Sequence, residues 1–334
     1  MRKPTRNREV GRGERVLGGV WRLRLPLPWP GVPHCNAWAL AAGDGVVLVD
    51  TGMHEPGSMA HLERALDQAG LRVEDVRLVV CTHAHVDHCG EAPAIRERAG
   101  CEVWMHPARG HLHASGDDAE QALARRVEVA RQSGVPEAPL RRWAEQRRAS
   151  GSGLSGELVV DRDLVPGVTV DSDLGPWEVI ETPGHAPSHV CLHQPERRLL
   201  ISGDHLLGRV SLYFDHGHTP DPVGEFLGSL DRVETLGARL ALAGHARPFT
   251  DVGAHIEANR ALVAERLDAV RAALHEDGAT AFELVRRVHG DEFGEHSASW
   301  LLIQTLSWLD HLELRGEARR HEPATPGEPE LWSI

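Results

Sequence analysis

Three histidines and an aspartate crowd into the run Thr82-His83-Ala84-His85-Val86-Asp87-His88. Imidazole nitrogens and carboxylate oxygens are donors that zinc takes, and iron or manganese also suits such a thiolate-free set. The run begins where a short apolar stretch, residues 76–81, ends. That stretch has the length and composition of a buried strand. Extended residues two apart point to the same side, so His83 and His85 can face one ion. Asp87 and His88 stand where the chain starts to turn and can face a second ion beside the first. The competing account is a polar surface loop, since most of the chain's 22 histidines must be ordinary surface residues. It fits poorly, because four such side chains directly after a buried strand would be an odd surface choice.

Three further residues follow the same plan. His185 closes Thr182-Pro183-Gly184-His185, Asp204 closes Ser202-Gly203-Asp204, and His245 closes Ala243-Gly244-His245. Each comes after a short apolar strand, and each has a glycine just before it. Strand ends on one sheet edge are where α/β proteins build sites, and glycine lets the chain approach an ion closely. A lone His or Asp after a strand is more often a cap or a surface residue. All three, in this order after the 83–88 run, form a specific pattern.

The pattern resembles the metallo-β-lactamase superfamily over about residues 16–250. Asp50, in Val49-Asp50-Thr51-Gly52, matches the first of that family's five motifs. The 83–88 run matches the second, and His185, Asp204 and His245 match the third to fifth. The resemblance implies an α/β fold, the four-layer αββα sandwich, with two zinc ions at one edge. It implies that His83, His85 and His185 hold the first ion, that Asp87, His88 and His245 hold the second, and that Asp204 bridges them. Asp50 would fix the ligand loop through hydrogen bonds. Two such ions sharing a water lower its pKa toward neutrality, so no Ser or Cys nucleophile is needed. Asp87 and Asp204 would then be the catalytic carboxylates, Asp87 taking a proton in the cycle. An acidic residue in place of His85 would have pointed to a flavodiiron-type site, and it is absent.

The elements that must position these residues are legible as an alternation of strands and helices. Residues 16–25 read as a first strand, broken by Pro26, Pro28, Pro30 and Pro33. Residues 36–42 and 46–50 read as a hairpin across Gly43-Asp44-Gly45. Helices are expected at 59–69, 92–99 and 224–236, with strands at 76–81, 101–105, 168–170, 177–181, 189–193, 199–202 and 240–243. Residues 107–157 read as a helical insertion, with helices at 118–132 and 139–148, that caps the site or makes a dimer contact. After residue 251 come three helices (254–274, 280–288, 297–311) and a hairpin of 317–320 with 330–334. The expected division is a basic tail over 1–15, the metal-binding domain over 16–250 and a small winged-helix-like domain over 251–334.

Composition narrows the function. A net charge of −13 repels nucleic acid and anionic membranes unless a basic patch intervenes. No apolar run reaches the length of a membrane span. The basic first residues lack the apolar core of a secretory signal. Five cysteines without CxxC spacing suggest reduced thiols in a cytoplasmic protein. The third C-terminal helix, 297–311, carries no Lys or Arg, so it suits a substrate wall or a homodimer contact better than DNA. The stretches 182–193 and 197–207 look most like the glyoxalase II and lactamase-β-like branch. That branch implies hydrolysis of a small acyl substrate: thioester, ester or lactone. The alternative is a metal-dependent nuclease of single-stranded RNA. A regulatory protein with a dead site is disfavoured by the complete ligand set. His34, in the proline-rich loop with Trp29, and Tyr213, the chain's one tyrosine, are the candidates for lining the substrate pocket.

Overall fold

The computed structural model describes residues 10–334 apart from 30, 113–115, 291, 292, 295, 296, 324 and 326. Residues 1–9 of the expected tail, and the breaker Pro30, lie outside the described residues. Seven strands form one sheet in chain order: β1 (Arg12–Leu17), β2 (Val20–Pro26), β3 (His34–Ala42), β4 (Gly45–Val49), β5 (Val76–Cys81), β6 (Glu102–Met105) and β7 (Arg162–Asp163). The second sheet is built from β8 (Thr169–Ser172), β9 (Gly175–Glu181), β10 (Val190–Gln194), β11 (Leu199–Gly203) and β12 (Leu240–Ala243), in the order β12-β11-β10-β9-β8. Both are mixed: β4–β7 run parallel, as do β11 and β12, and the other pairings are antiparallel.

The helices are α1 (Ser58–Gln68), α2 (Val86–Cys89), α3 (Ala92–Ala99), α4 (Gly116–Gln132), α5 (Glu137–Ala149), α6 (Pro222–Glu234), α7 (Val252–Ala273), α8 (Ala281–His289) and α9 (Ala298–Leu314). Two short strands, β13 (Arg319–His321) and β14 (Leu331–Ser333), close the chain as a hairpin. Between the sheets lie Trp38, Leu40, Val80, Trp177, Leu192 and Ile201, all fully buried. Full burial of each large apolar side chain contributes about 1.5–3 kcal/mol, so this layer fixes the distance between the sheets. Leu62 and Leu66 of α1 and Ile95 of α3 cover the outer face of the first sheet. Val223, Phe226, Leu230 and Val233 of α6 cover the second, at helical spacing. Helix, sheet, sheet, helix is the expected four-layer arrangement.

The strands that carry the site are apolar for a reason. β5 lies between two parallel neighbours, and its residues 79–81 are fully buried, as the continuous run Val79-Val80-Cys81 requires. The N-terminal region departs from expectation. What reads as one strand over 16–25 is two, turned at Gly18-Gly19, with Gly19 at φ 78. β1 starts at Arg12, inside the stretch read as tail. Its Arg-Gly-Glu-Arg composition has no apolar alternation to reveal it; its glycines instead let it run against α1, where a Cβ on Gly13 would stand 2.0 Å from the Ala65 carbonyl oxygen.

The C-terminal helical region is present, and it is not separate in packing. Leu301, Leu306 and Trp308 of α9 share one apolar cluster with Leu200, Ala241 and Phe214. The 107–157 stretch holds α4 and α5, joined by the Arg148–Glu120 ion pair, and the Ser133 carbonyl at the end of α4 accepts from the Phe282 amide of α8. No helix among the described residues is long and apolar enough to cross a membrane.

Candidate metal centre

All seven expected ligand residues lie at the same end of the two sheets, each just beyond a strand. β5 ends at Cys81, and the chain bends through residues 82–84, in place of the extended run expected, before an extended His85 leads into α2. His83 and His85 still meet, with His83 Nε2 2.9 Å from His85 Nδ1. His185, in the turn after β9, brings its Nε2 to 3.1 Å from the same His85 atom. α2 is one turn of helix that the sequence does not announce. It brings Asp87 to His245, which follows β12, and sets the His88 ring between His83 (centroids 4.1 Å apart) and His245 (5.4 Å). Asp87 Oδ2 is 3.3 Å from His245 Nε2 and 3.5 Å from His88 Nε2.

Asp204, after β11, stands between the two groups. Its Oδ2 is 3.2 Å from His245 Nε2 and 3.7 Å from His185 Nε2, and its Oδ1 is 3.4 Å from His88 Nε2. Two sets, His83/His85/His185 and Asp87/His88/His245, each offer ligand atoms close enough to share one ion. Four-coordinate zinc with nitrogens at 2.0–2.1 Å sets neighbouring nitrogens about 3.3 Å apart, close to the spacing of the three histidines. His88 Nε2 and Asp204 Oδ1 are buried and take no hydrogen bond. A buried polar atom without a partner is costly, and a cation in this space would satisfy both. The donor set therefore fits divalent metal.

Electrostatics differ between the two sets. Burial, reinforced by neighbouring imidazoles, holds His83 well below the ordinary histidine value and His185 at about 4. Burial also opposes charge on His88 and His245, but the Asp204 and Asp87 carboxylates outweigh it; they carry His88 well above its ordinary value and His245 to about 10. Without an ion, protons balance the carboxylates, and an ion that binds here displaces protons.

The ligands are held from behind. Asp50 has a left-handed backbone (φ 62) directly after β4, a region that Asp tolerates better than most residues. Its buried carboxylate accepts from the Thr82 amide (2.8 Å), from Thr82 Oγ1 (2.9 Å) and from His88 Nδ1 (2.8 Å). His185 Nδ1 donates to the Tyr213 carbonyl, and His245 Nδ1 to the His34 carbonyl. His34 thus touches the centre through its backbone, while its imidazole lies 3.2 Å from Arg22. Tyr213 presents its ring to His185 and His85, at centroid distances of 5.6 and 6.1 Å. Burial and then Asp215 push its phenol far up, so it stays an O–H donor. Trp29 is exposed.

Sequence reasoning missed two supports. Asp215 accepts from His85 Nε2 at 2.7 Å and lies 4.0 Å from His111. It sits in an irregular segment after β11, where neither periodicity nor a motif marks it. His189 links Thr182 Oγ1 (2.7 Å) to the Asp204 amide (3.0 Å), and in sequence it passes for an ordinary strand residue.

The glycines before the ligands have a measurable purpose. Gly244 is outside the left-handed region, so alanine fits its backbone, but a Cβ there would stand 2.2 Å from Asp204 Oδ1 and 2.8 Å from His88 Cε1. Gly244→Ala is expected to push the Asp204 carboxylate aside and weaken zinc binding at least ~10-fold, measured by chelator competition, while the circular dichroism stays native. Wild-type affinity would mean that Asp204 is not needed where it stands.

Comparison with known proteins agrees with this geometry. The family model described as "Metallo-beta-lactamase superfamily" matches residues 30–245. The chain is 27% identical over 302 residues to the "Probable metallo-hydrolase YqjP" of Bacillus subtilis (strain 168), spanning 88% of this chain and 92% of that one. It is 27% identical over 229 residues to an "Acyl-coenzyme A thioesterase" of Bos taurus, spanning 65% of this chain and 74% of that one. The crystal structure of a metallo-beta-lactamase family protein from Thermus thermophilus superposes with a TM-score of 0.80 at 28% identity, covering 96% of this chain and 99% of that one.

Proposed function

The chain belongs to the metallo-β-lactamase superfamily and is a metallo-hydrolase; we propose that it holds two zinc ions and cleaves a small acyl thioester. The observation that carries this proposal is the position of Asp204, within 3.7 Å of ligand atoms from both the three-histidine set and the His88/His245 set. His83, His85 and His185 would hold one ion, Asp87, His88 and His245 the other, and Asp204 both. Bound there, the pair would supply Lewis acidity to the substrate carbonyl and lower the pKa of the attacking water.

The chain's own residues do the rest. Asp87, buried beside His245 and His88, is the carboxylate positioned to accept the proton that the attacking water gives up. Tyr213, with its ring beside His185 and His85, donates its phenol O–H to Asp215 and so helps hold the carboxylate that aims His85. Water adds its oxygen to the acyl carbon, the carbon–sulfur bond breaks, and the thiol leaves with the proton. No cysteine competes with water as the nucleophile: all five are free and buried, and burial pushes every thiol up, Cys191 to about 12.

Likeness to a protein named an acyl-coenzyme A thioesterase supports a thioester. The net charge of −13 weighs against an RNA backbone. The test is zinc-loaded protein screened on acyl thioesters, lactones, aryl esters and a single-stranded RNA, with metal counted by mass spectrometry. About two zinc per chain and the highest kcat/KM on a thioester are expected. Dominant RNA cleavage, or no zinc from a metal-replete preparation, would overturn the assignment.

A further inference from the structure

The segment 212–216 passes between the metal centre and α9, and its contacts alternate between the two. Tyr213 and Asp215 serve the centre. The Tyr213 carbonyl accepts from His185 Nδ1 (3.2 Å), the Asp215 carboxylate accepts from His85 Nε2 (2.7 Å), and the Asp215 amide donates to the His185 carbonyl (3.1 Å). Leu212, Phe214 and His216 serve α9. The Leu212 carbonyl accepts from Gln304 Nε2, the Phe214 ring packs edge-on against Trp308 at 5.0 Å, and His216 Nε2 meets Asp310 Oδ2 at 2.9 Å. Just beyond, Asp221, which caps α6 by accepting from the Gly224 amide, takes His311 Nδ1 at 2.9 Å. Gln304, Trp308 and His311 are spaced as one face of a helix, and all three are buried.

We propose that α9 is a positioning element of the metal centre: its Gln304–Trp308–His311 face, with Asp310 beside it, holds segment 212–216 in the register that aims His85 and His185. This gives the C-terminal region a role at the site that needs neither nucleic acid nor a second copy of the chain. Two of the three histidines that would hold the first ion are oriented by residues that have no regular secondary structure of their own. An unsupported segment would let both imidazoles turn, and misaimed ligands bind metal more weakly. Asp310 is fixed in turn by Arg320 of the terminal hairpin (2.7 Å), so the brace reaches the last strands.

The proposal rests on the assignment of His83, His85 and His185 to one ion, and the experiment separates the two. Zinc affinity is measured by chelator competition on the full chain, with cobalt(II) absorption reporting the geometry of the centre. The variants are Gln304→Leu, which leaves the Leu212 carbonyl without its donor, and Asp310→Asn, which keeps shape and weakens the His216 contact. Thr280→Ala is the control. It removes the side-chain cap of α8, a cap made only with Glu283 of the same helix, and so lowers the melting temperature without touching segment 212–216.

Both α9 variants are expected to weaken zinc binding ~10-fold or more and to alter the cobalt spectrum, with Thr280→Ala binding as wild type. If Gln304→Leu does not fold, Asp310→Asn alone decides. Wild-type affinity in the folded α9 variants, or an equal loss in Thr280→Ala, would overturn the role of α9 and leave the ligand assignment standing. A wild-type chain that binds no zinc would remove the ligand assignment itself, and the proposal with it.

Discussion

Asp204→Ala is expected to empty the centre of zinc and reduce hydrolysis by more than the ~100-fold that loss of a mere orienting partner costs. The reason is position. Oδ2 faces His245 and His185, and Oδ1 faces His88, so one side chain belongs to both sets of donors. Alanine removes an anionic donor from each set at once. His83→Ala is the informative contrast: it cuts the three-histidine set to two but leaves Asp87, His88 and His245 intact. It should therefore lose about one zinc equivalent where Asp204→Ala loses both. Metal counting on dialysed protein, paired with steady-state thioester hydrolysis, distinguishes them. Equal metal loss in the two variants would argue against a shared carboxylate, and Asp204→Ala with full metal and activity within tenfold of wild type would end the two-ion mechanism.

The contrast between what the sequence discloses and what it hides follows from how each feature is encoded. The apolar run of β5 and the four donors behind it are local in sequence, so one window shows both the strand and the chemistry at its end. His185, Asp204 and His245 are each legible because a strand, a glycine and the donor follow one another within a few residues. Asp215 has no such context. It matters because the chain after β11 returns past His85, and no property of residues 205–221 encodes that path. α2 is hidden for a related reason: a one-turn helix of four residues has no periodicity to detect. β1 is lost to composition, since glycines and charges do not read as a strand until α1 lies against them. His34 shows the limit from the other side. Its place beside the centre is legible, but the sequence cannot tell that the carbonyl, and not the imidazole, faces His245.

Asp50→Asn changes no shape and should nonetheless disable the centre, because Asp50 sets which nitrogen of His88 carries the proton. A carboxylate only accepts hydrogen bonds. His88 Nδ1, 2.8 Å from Asp50 Oδ2, must therefore keep its proton, so Nε2, beside Asp204 and Asp87, is the nitrogen that gives its proton up to an arriving ion. Thr82 likewise gives its hydroxyl proton to Asp50 and accepts from His83 Nδ1 at 3.0 Å, which leaves His83 Nε2 bare toward His85. An asparagine must keep its oxygen on the Thr82 amide, an obligate donor 2.8 Å from Oδ1, so its NH2 falls on His88 Nδ1 and Thr82 Oγ1. His88 Nδ1 then accepts and its Nε2 carries the proton. Thr82 Oγ1 also lies 3.1 Å from Oδ1, so its hydroxyl keeps an acceptor and the His83 ring keeps its proton on Nδ1. A protonated nitrogen cannot bind metal, so one substituted atom spoils the His88 donor. A comparable carboxylate-to-amide exchange beside a catalytic imidazole costs about 10⁴-fold in kcat. Zinc content well below two equivalents and a loss of at least ~10²-fold in kcat/KM are expected, with melting behaviour and circular dichroism close to wild type. Two tightly held zinc ions in Asp50→Asn, with activity retained, would mean that the proton position on His88 is not set by Asp50.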